Sequence, residues 1–171
     1  MELSYNDCGC SAEAAHKNEE ATPSAPRELI PFILDRYHAV HRRELPELAR
    51  LANKVETVHA EHARCPRGLA QFLADLEAEL ETHMTKEEQV LFPLLLANGG
   101  GCAPLAIRRM RLEHEDHHKA LGELVRLTND FSPPEGACGG WRRLYAGCAK
   151  LKADLEAHIA LENEVLFPAF E

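Results

Sequence analysis

With 171 residues, 45% of them apolar and 27% charged, the chain has the length and composition of one folded globular domain rather than of a disordered or fibrous protein. Its formal net charge of −9 excludes the broad basic face that general nucleic-acid binding requires. No apolar run reaches the roughly 20 residues that span a bilayer, and no basic segment followed by an apolar one opens the chain, so we expect a cytoplasmic protein without membrane contact.

The N-terminal segment, residues 1–26, is rich in polar and small side chains and closes with two prolines. This composition predicts a flexible tail and linker, followed by a single domain over residues 27–171. The chain has six cysteines, and two of them, Cys8 and Cys10, lie in this tail. In a reducing compartment we expect free thiols rather than a framework of disulfides.

Beyond Arg27, apolar residues recur at spacings of three and four, which predicts four long amphipathic helices and no strand. Pro46 falls inside the first helix, where we expect a kink. A run of glycines ends the second helix, and a segment with two prolines follows the third. The fold class is therefore all-α, an antiparallel up-down-up-down four-helix bundle. The predicted helices begin at about residues 28, 68, 104 and 140 and end at about residues 58, 97, 128 and 170.

The chain contains an internal repeat. Residues 83–93, His-Met-Thr-Lys-Glu-Glu-Gln-Val-Leu-Phe-Pro, recur 75 positions later as residues 158–168, His-Ile-Ala-Leu-Glu-Asn-Glu-Val-Leu-Phe-Pro. At an offset of 76, residues 37–41, Tyr-His-Ala-Val-His, correspond to residues 113–117, Glu-His-Glu-Asp-His. The second helix therefore corresponds to the fourth, and the first helix to the third.

The repeated histidines and glutamates predict a dinuclear metal site. In each His-x-x-x-Glu unit the two side chains lie one turn apart on one helix face and can reach one point. Two such units, with one histidine from each of the other two helices, bring four imidazoles and two carboxylates to the centre of the bundle. Cations would explain why an apolar core accepts two glutamates, and each carboxylate has two oxygens with which to bridge them. The predicted ligands are His38, His83, Glu87, His114, His158 and Glu162.

Other interpretations remain open for each residue alone, because a single histidine or a single His-x-x-x-Glu unit is also typical of an ordinary core or solvent-facing position. The repetition favours metal. Structural zinc sites usually contain thiolates, and none of the six cysteines lies at the repeated positions, so iron with oxygen or nitric oxide chemistry fits better than zinc. The Glu-x-x-His pairs Glu56/His59 and Glu115/His118 lack a repeated context and are interpreted as chance.

At these motifs the chain resembles the hemerythrin-like superfamily and, more closely, its Repair of Iron Centres branch. The resemblance covers nearly all of residues 29–167. It implies a hemerythrin-like bundle with two non-haem iron ions in an oxo- or hydroxo-bridged centre, held by the same six ligands, with both glutamates as bridges. Glu79 and Glu113 match acidic positions that the family places near the cluster, where they would move protons or guide iron. The alternative is that both are ordinary helix-surface glutamates.

The function implied by this resemblance is the repair of iron-sulfur clusters damaged by nitrosative or oxidative stress, by iron donation or by binding and processing nitric oxide. The partners would be nitric oxide or oxygen and the iron-sulfur proteins. The alternative is a reversible carrier or sensor of oxygen or nitric oxide, and whether the protein turns over as an enzyme stays open. Full-length members begin with a small cysteine-containing domain, of which this chain has only the segment around Cys8 and Cys10. These thiols are candidates for a redox or metal-transferring role, or the tail is dispensable.

His118 departs from the Repair of Iron Centres pattern. Oxygen-binding hemerythrins place two histidines four residues apart on the third helix, and His114-x-x-x-His118 has this spacing. Residues four apart share a helix face, which makes His118 a candidate additional ligand, whereas His117 is expected on the other side of His114. The alternative is a solvent-facing or supporting histidine.

Overall fold

The computed structural model describes residues 22–23, 25–97 and 102–171, and all of its regular structure is helical. The tail predicted for residues 1–26, with Cys8 and Cys10, lies almost entirely outside the described residues. The helices are α1 (Pro26–Ile33), α2 (Ala39–Val58), α3 (Leu69–Lys86), α4 (Phe92–Leu96), α5 (Ala103–Leu127) and α6 (Gly139–Leu161).

Short π-helical turns join some of these helices into longer rods. One π turn, Leu34–His38, joins α1 to α2, and another, Glu87–Leu91, joins α3 to α4. A third, Glu162–Leu166, extends α6 and is followed by a 3₁₀ turn, Phe167–Phe170. With α5, this makes four rods, and the predicted all-α fold class is confirmed. The first rod continues through Pro46 to Val58.

Two separate hydrophobic clusters fill the bundle. The first rod contributes its early residues, such as Ile33, to one cluster and its later residues, such as Leu48, to the other. The second and fourth rods contribute in the opposite order, and α5 repeats the order of the first rod. The chain therefore runs up, down, up and down. α2 packs against α3 and α6, and α5 packs against the same two helices, so the rods form a closed ring.

None of the described helices combines the length and the apolar composition that crossing a bilayer requires.

Candidate metal centre

A layer of buried polar side chains separates the two hydrophobic clusters. Each rod carries its histidine, or its His-x-x-x-Glu pair, at the point where it passes from one cluster to the other. The six residues are between 0% and 2% exposed. An unpartnered charge in such a place is costly, so the layer requires a compensating partner. Its members are His38, His83, Glu87, His114, His158 and Glu162.

The π turns coincide with this layer. Glu87 and Glu162 each begin a π turn, and His38 ends one. A π turn inserts one residue into the helical repeat and redirects the side chains around it, which is why such turns are frequent at functional sites. In three of the four rods, the backbone thus changes from α-helix to π turn at the residues that meet in the polar layer.

The six side chains form two groups of four whose ligand atoms lie within 4.8 Å of one another. Each glutamate belongs to both groups, and each histidine belongs to one. Oε2 of Glu87 lies 3.3 Å from Nε2 of His38, and its Oε1 lies 3.3 Å from Nε2 of His83. Oε1 of Glu162 lies 3.3 Å from Nε2 of His158, and its Oε2 lies 3.1 Å from Nε2 of His114. Each carboxylate therefore presents one oxygen to each group, as a bridging ligand does.

The donor set fits cations. Within the described part of the chain, all four oxygens of Glu87 and Glu162 are buried without a hydrogen-bond partner. Burial opposes ionisation of both carboxyl groups, and repulsion by Glu162 adds to this at Glu87, but the facing imidazoles outweigh these effects and hold the pKa of both below the ordinary value. Burial lowers the pKa of His83, but Glu87 and its other acidic contacts raise it to about 9. The layer thus attracts positive charge.

Three of the four histidines are oriented through Nδ1, the ring nitrogen that faces away from Glu87 and Glu162. Nδ1 of His38 lies 2.8 Å from Oε1 of Glu88, and Nδ1 of His114 lies 3.0 Å from Oδ1 of Asn163. An Nδ1–H that donates to such an oxygen leaves the lone pair of Nε2 directed at the centre, which is the usual support of a metal-binding histidine.

Glu113 supports the remaining oriented histidine. Its Oε2 lies 3.0 Å from Nδ1 of His83, and its Oε1 accepts hydrogen bonds from Lys86 and Arg109 at 2.8 and 2.9 Å. Burial opposes ionisation, but these three donors lower the pKa of Glu113 to about 2. With the exposed Glu79, it lines a cavity of about 380 Å³ that reaches His83. Glu113 thus touches the centre through a histidine, and Glu79 lies on the approach to it.

His118 is exposed and lies outside both groups, which agrees with the alternative interpretation, a solvent-facing histidine. The buried face of α5 continues from His114 to position 117, three residues further along, and not to position 118. That face follows Met110, His114, His117, Leu121 and Leu124.

Two buried histidines were not assigned a role from the sequence, His41 and His117. They are 1% and 5% exposed. The ring of His41 lies 5.6 Å from that of His158, and the ring of His117 lies 4.7 Å from that of His83. Burial, followed by the neighbouring histidines, lowers their pKa to about 3 and about 4, so both are neutral at physiological pH. They occupy matching positions in the internal repeat, which is the signal that could have identified them.

Comparison with known proteins gives consistent matches. The family model described as Hemerythrin HHE cation binding domain matches residues 30–170. A protein of Yersinia pestis (strain Pestoides F) named "Iron-sulfur cluster repair protein YtfE" is 46% identical over 153 residues, which are 90% of this chain and 69% of the relative. The protein of the same name from Yersinia pseudotuberculosis serotype O:1b (strain IP 31758) is 45% identical over the same shares of both chains.

Proposed function

We propose a function from one premise: the chain belongs to the hemerythrin HHE cation-binding family. Its buried centre holds two non-haem iron ions, and the protein uses them to repair iron-sulfur clusters damaged by nitrosative or oxidative stress. Repair is the function in the printed name of the Yersinia relatives. Bound iron would supply electron exchange between the ferrous and ferric states and open coordination positions for nitric oxide or oxygen.

The sharing of both glutamates between two histidine pairs is the observation that supports this function most strongly. His38 and His158 would hold one ion, and His83 and His114 the other. Glu87 and Glu162 would bridge them, since each carboxylate directs one oxygen to each pair. Four protein ligands for each ion leave open positions, which a small ligand or the release of an ion requires.

The two positions differ in their access to solvent. The cavity beside His83 is lined by Glu79, Glu113 and Asp116, and also by Lys86 and Arg109, which pair with Glu113. On the other side, the ring of Tyr37 stacks on His158 with 5.1 Å between the ring centroids. We infer that iron leaves and enters beside His83, because this cavity reaches a ligand of the centre, and Glu79 on its wall has no cation partner among the described residues.

The rival function is reversible binding of oxygen or nitric oxide. The two hydrophobic clusters favour it, because they cover the polar layer from both ends of the bundle and would protect a bound diatomic molecule from water. Mixing the reduced protein with oxygen separates the two functions. A visible band that disappears when oxygen is removed indicates a carrier, whereas irreversible oxidation agrees with repair.

Repair itself is tested with an iron-sulfur enzyme whose cluster has been damaged by nitric oxide. Iron-loaded protein should restore its activity, and protein stripped by a chelator should not. Free ferrous iron at the same concentration is the control, since recovery with it alone would contradict a specific role. If the number of repaired enzyme molecules exceeded the number that the loaded iron could supply, the protein would be shown to turn over. The same assay with Cys8→Ser and Cys10→Ser tests the N-terminal thiols.

The clients of this activity are iron-sulfur proteins, and a cytoplasmic location is proposed because the cysteine thiols that hold such clusters are kept reduced there. Nucleic acid and membrane lipid are not among the proposed partners. A direct client interaction is tested by crosslinking the iron-loaded chain to a damaged cluster protein, with the intact cluster protein as the control.

A further inference from the structure

A second group of reactive side chains lies at the start of α6. Cys138 precedes the helix, and its Sγ accepts a hydrogen bond from the backbone N–H of Trp141 at 3.4 Å. The thiol is free and exposed. His158 lies twenty positions beyond Cys138 along α6, so at a rise of about 1.5 Å per residue the thiol lies roughly 30 Å from the metal centre. Its chemistry is therefore independent of that centre.

His59 accompanies this thiol. It follows α2, and its Nε2 lies 3.2 Å from Sγ of Cys138. Its ring packs against that of Trp141 at 5.0 Å, and Trp141 is 1% exposed in the hydrophobic core. A buried aromatic ring thus fixes the imidazole beside the sulfur. Residues 79 apart in sequence form a pair of nucleophile and base.

The pair opens into a cavity of about 200 Å³ between α2 and α6. Its wall is apolar on one side, and Lys54 and Arg143 bring two positive charges to it. Among the described residues, neither cation has a carboxylate partner, and no acidic side chain lines the cavity. The cavity therefore favours a molecule that carries negative charge. The apolar wall consists of Leu51, Val55 and Val58.

The surroundings also activate the sulfur. The N–H of Trp141, followed by His59, lowers the pKa of Cys138 to about 7, so a large fraction is thiolate at neutral pH. By contrast, burial raises the pKa of Cys148 to about 12. Cys102 is exposed like Cys138 but has no imidazole among its described contacts, which makes it the natural comparison.

We propose that Cys138 is a site of reversible thiolation by small anionic disulfides. The thiolate attacks one sulfur of the disulfide, and a new S–S bond forms as the original S–S bond breaks. The departing sulfur takes the electron pair of that bond and receives its proton from the His59 imidazolium or from water. Cys138 is oxidised and the disulfide is reduced, so the exchange requires no further reactant. Lys54 and Arg143 attract the carboxylates of the disulfide.

The test uses the full, iron-loaded chain and glutathione disulfide, with peptide mass mapping of every cysteine over time. We expect the adduct at Cys138 to form at least roughly tenfold faster than at Cys102, because the thiolate is the reacting form. Equal rates at the two cysteines would overturn the proposal. Cys138→Ser should abolish this adduct while keeping an oxygen that caps α6, so the variant is expected to fold.

Charge variants separate recognition from simple reactivity. Lys54→Gln with Arg143→Gln should slow the reaction with glutathione disulfide several-fold and leave the reaction with uncharged hydroxyethyl disulfide unchanged. Arg142→Gln is the matched control, because this exposed arginine does not line the cavity. His59→Gln should slow both reactions. If the double variant slows neither disulfide, or if Arg142→Gln has the same effect, the assignment of an anionic substrate is wrong.

Discussion

Replacing a bridging glutamate should remove a ligand from both metal positions, whereas replacing a histidine should remove one from a single position. Glu87 is one of four members in each of the two groups, and His114 belongs to one group only. Loss of a group that only hydrogen-bonds to a metal ligand lowers metal affinity about 10- to 100-fold. Loss of a direct ligand should lower the affinity at least as much at each metal position that it serves. Glu87→Ala should therefore weaken both positions, and His114→Ala should leave the other position with all four ligands.

The assay is iron per chain after anaerobic dialysis against chelators of increasing strength. The wild type should hold about two ions, since each group supplies four ligands. Over a range of chelator strengths, His114→Ala should hold about one ion and Glu87→Ala fewer. His118→Ala is the control, because this exposed histidine lies one turn further along α5. Retention of one ion by the glutamate variant and of none by the histidine variant would refute the shared-bridge arrangement.

Three further results are expected. Free iron at a hundred times its dissociation constant should stabilise the fold by about 2.7 kcal/mol, which corresponds to a rise in Tm of roughly 5–10 °C. Equal Tm values with and without a chelator, measured by calorimetry, would contradict a buried metal centre. Gly68→Ala should lower the free energy of unfolding in urea by about 1 kcal/mol, because the backbone φ of Gly68 is +89°. Gly122→Ala should raise it by about 0.5–1 kcal/mol, because an added Cβ inside α5 meets open space. If both variants changed the free energy of unfolding in the same direction, this explanation would be excluded. Iodoacetamide labelling of Cys138 should accelerate as the pH rises through about 7, while buried Cys148 stays unlabelled unless the protein unfolds.

Hydrophobic spacing was sufficient to predict the four rods, since apolar residues at intervals of three and four mark the buried face of each helix. The π turns were not predictable in this way. A spacing rule assumes a constant rotation of about 100° per residue, whereas a π turn locally lowers that rotation. The turns at Leu34–His38, Glu87–Leu91 and Glu162–Leu166 therefore had no sequence signal of their own, although each contains a residue of the polar layer.

The internal repeat was the effective signal for the candidate site. The six residues that it selected are the six that the structure brings together, and their ligation of iron stays a prediction. Helix rotation alone left two interpretations of His118 open, because a choice between positions three and four along a helix depends on how α5 is oriented about its axis against its neighbours. The pairing of His59 with Cys138 could not be predicted from the sequence for a different reason. It depends on the approach of α2 and α6 across 79 positions of sequence.

The repeat also explains why the two metal positions share a ligand type but differ in their surroundings. It relates the His38–His158 pair to the His114–His83 pair, so equal ligands follow from equal sequence. Around the ligands the correspondence breaks down. Glu113, which accepts a hydrogen bond from Nδ1 of His83, occupies the repeat position of Tyr37, whose ring instead covers His158. One substitution within the repeat thus replaces an aromatic cover with a carboxylate beside a cavity of about 380 Å³. A symmetric set of ligands thereby acquires one side beside a cavity and one side beneath an aromatic ring, and this difference supports the proposed entry and exit of iron beside His83.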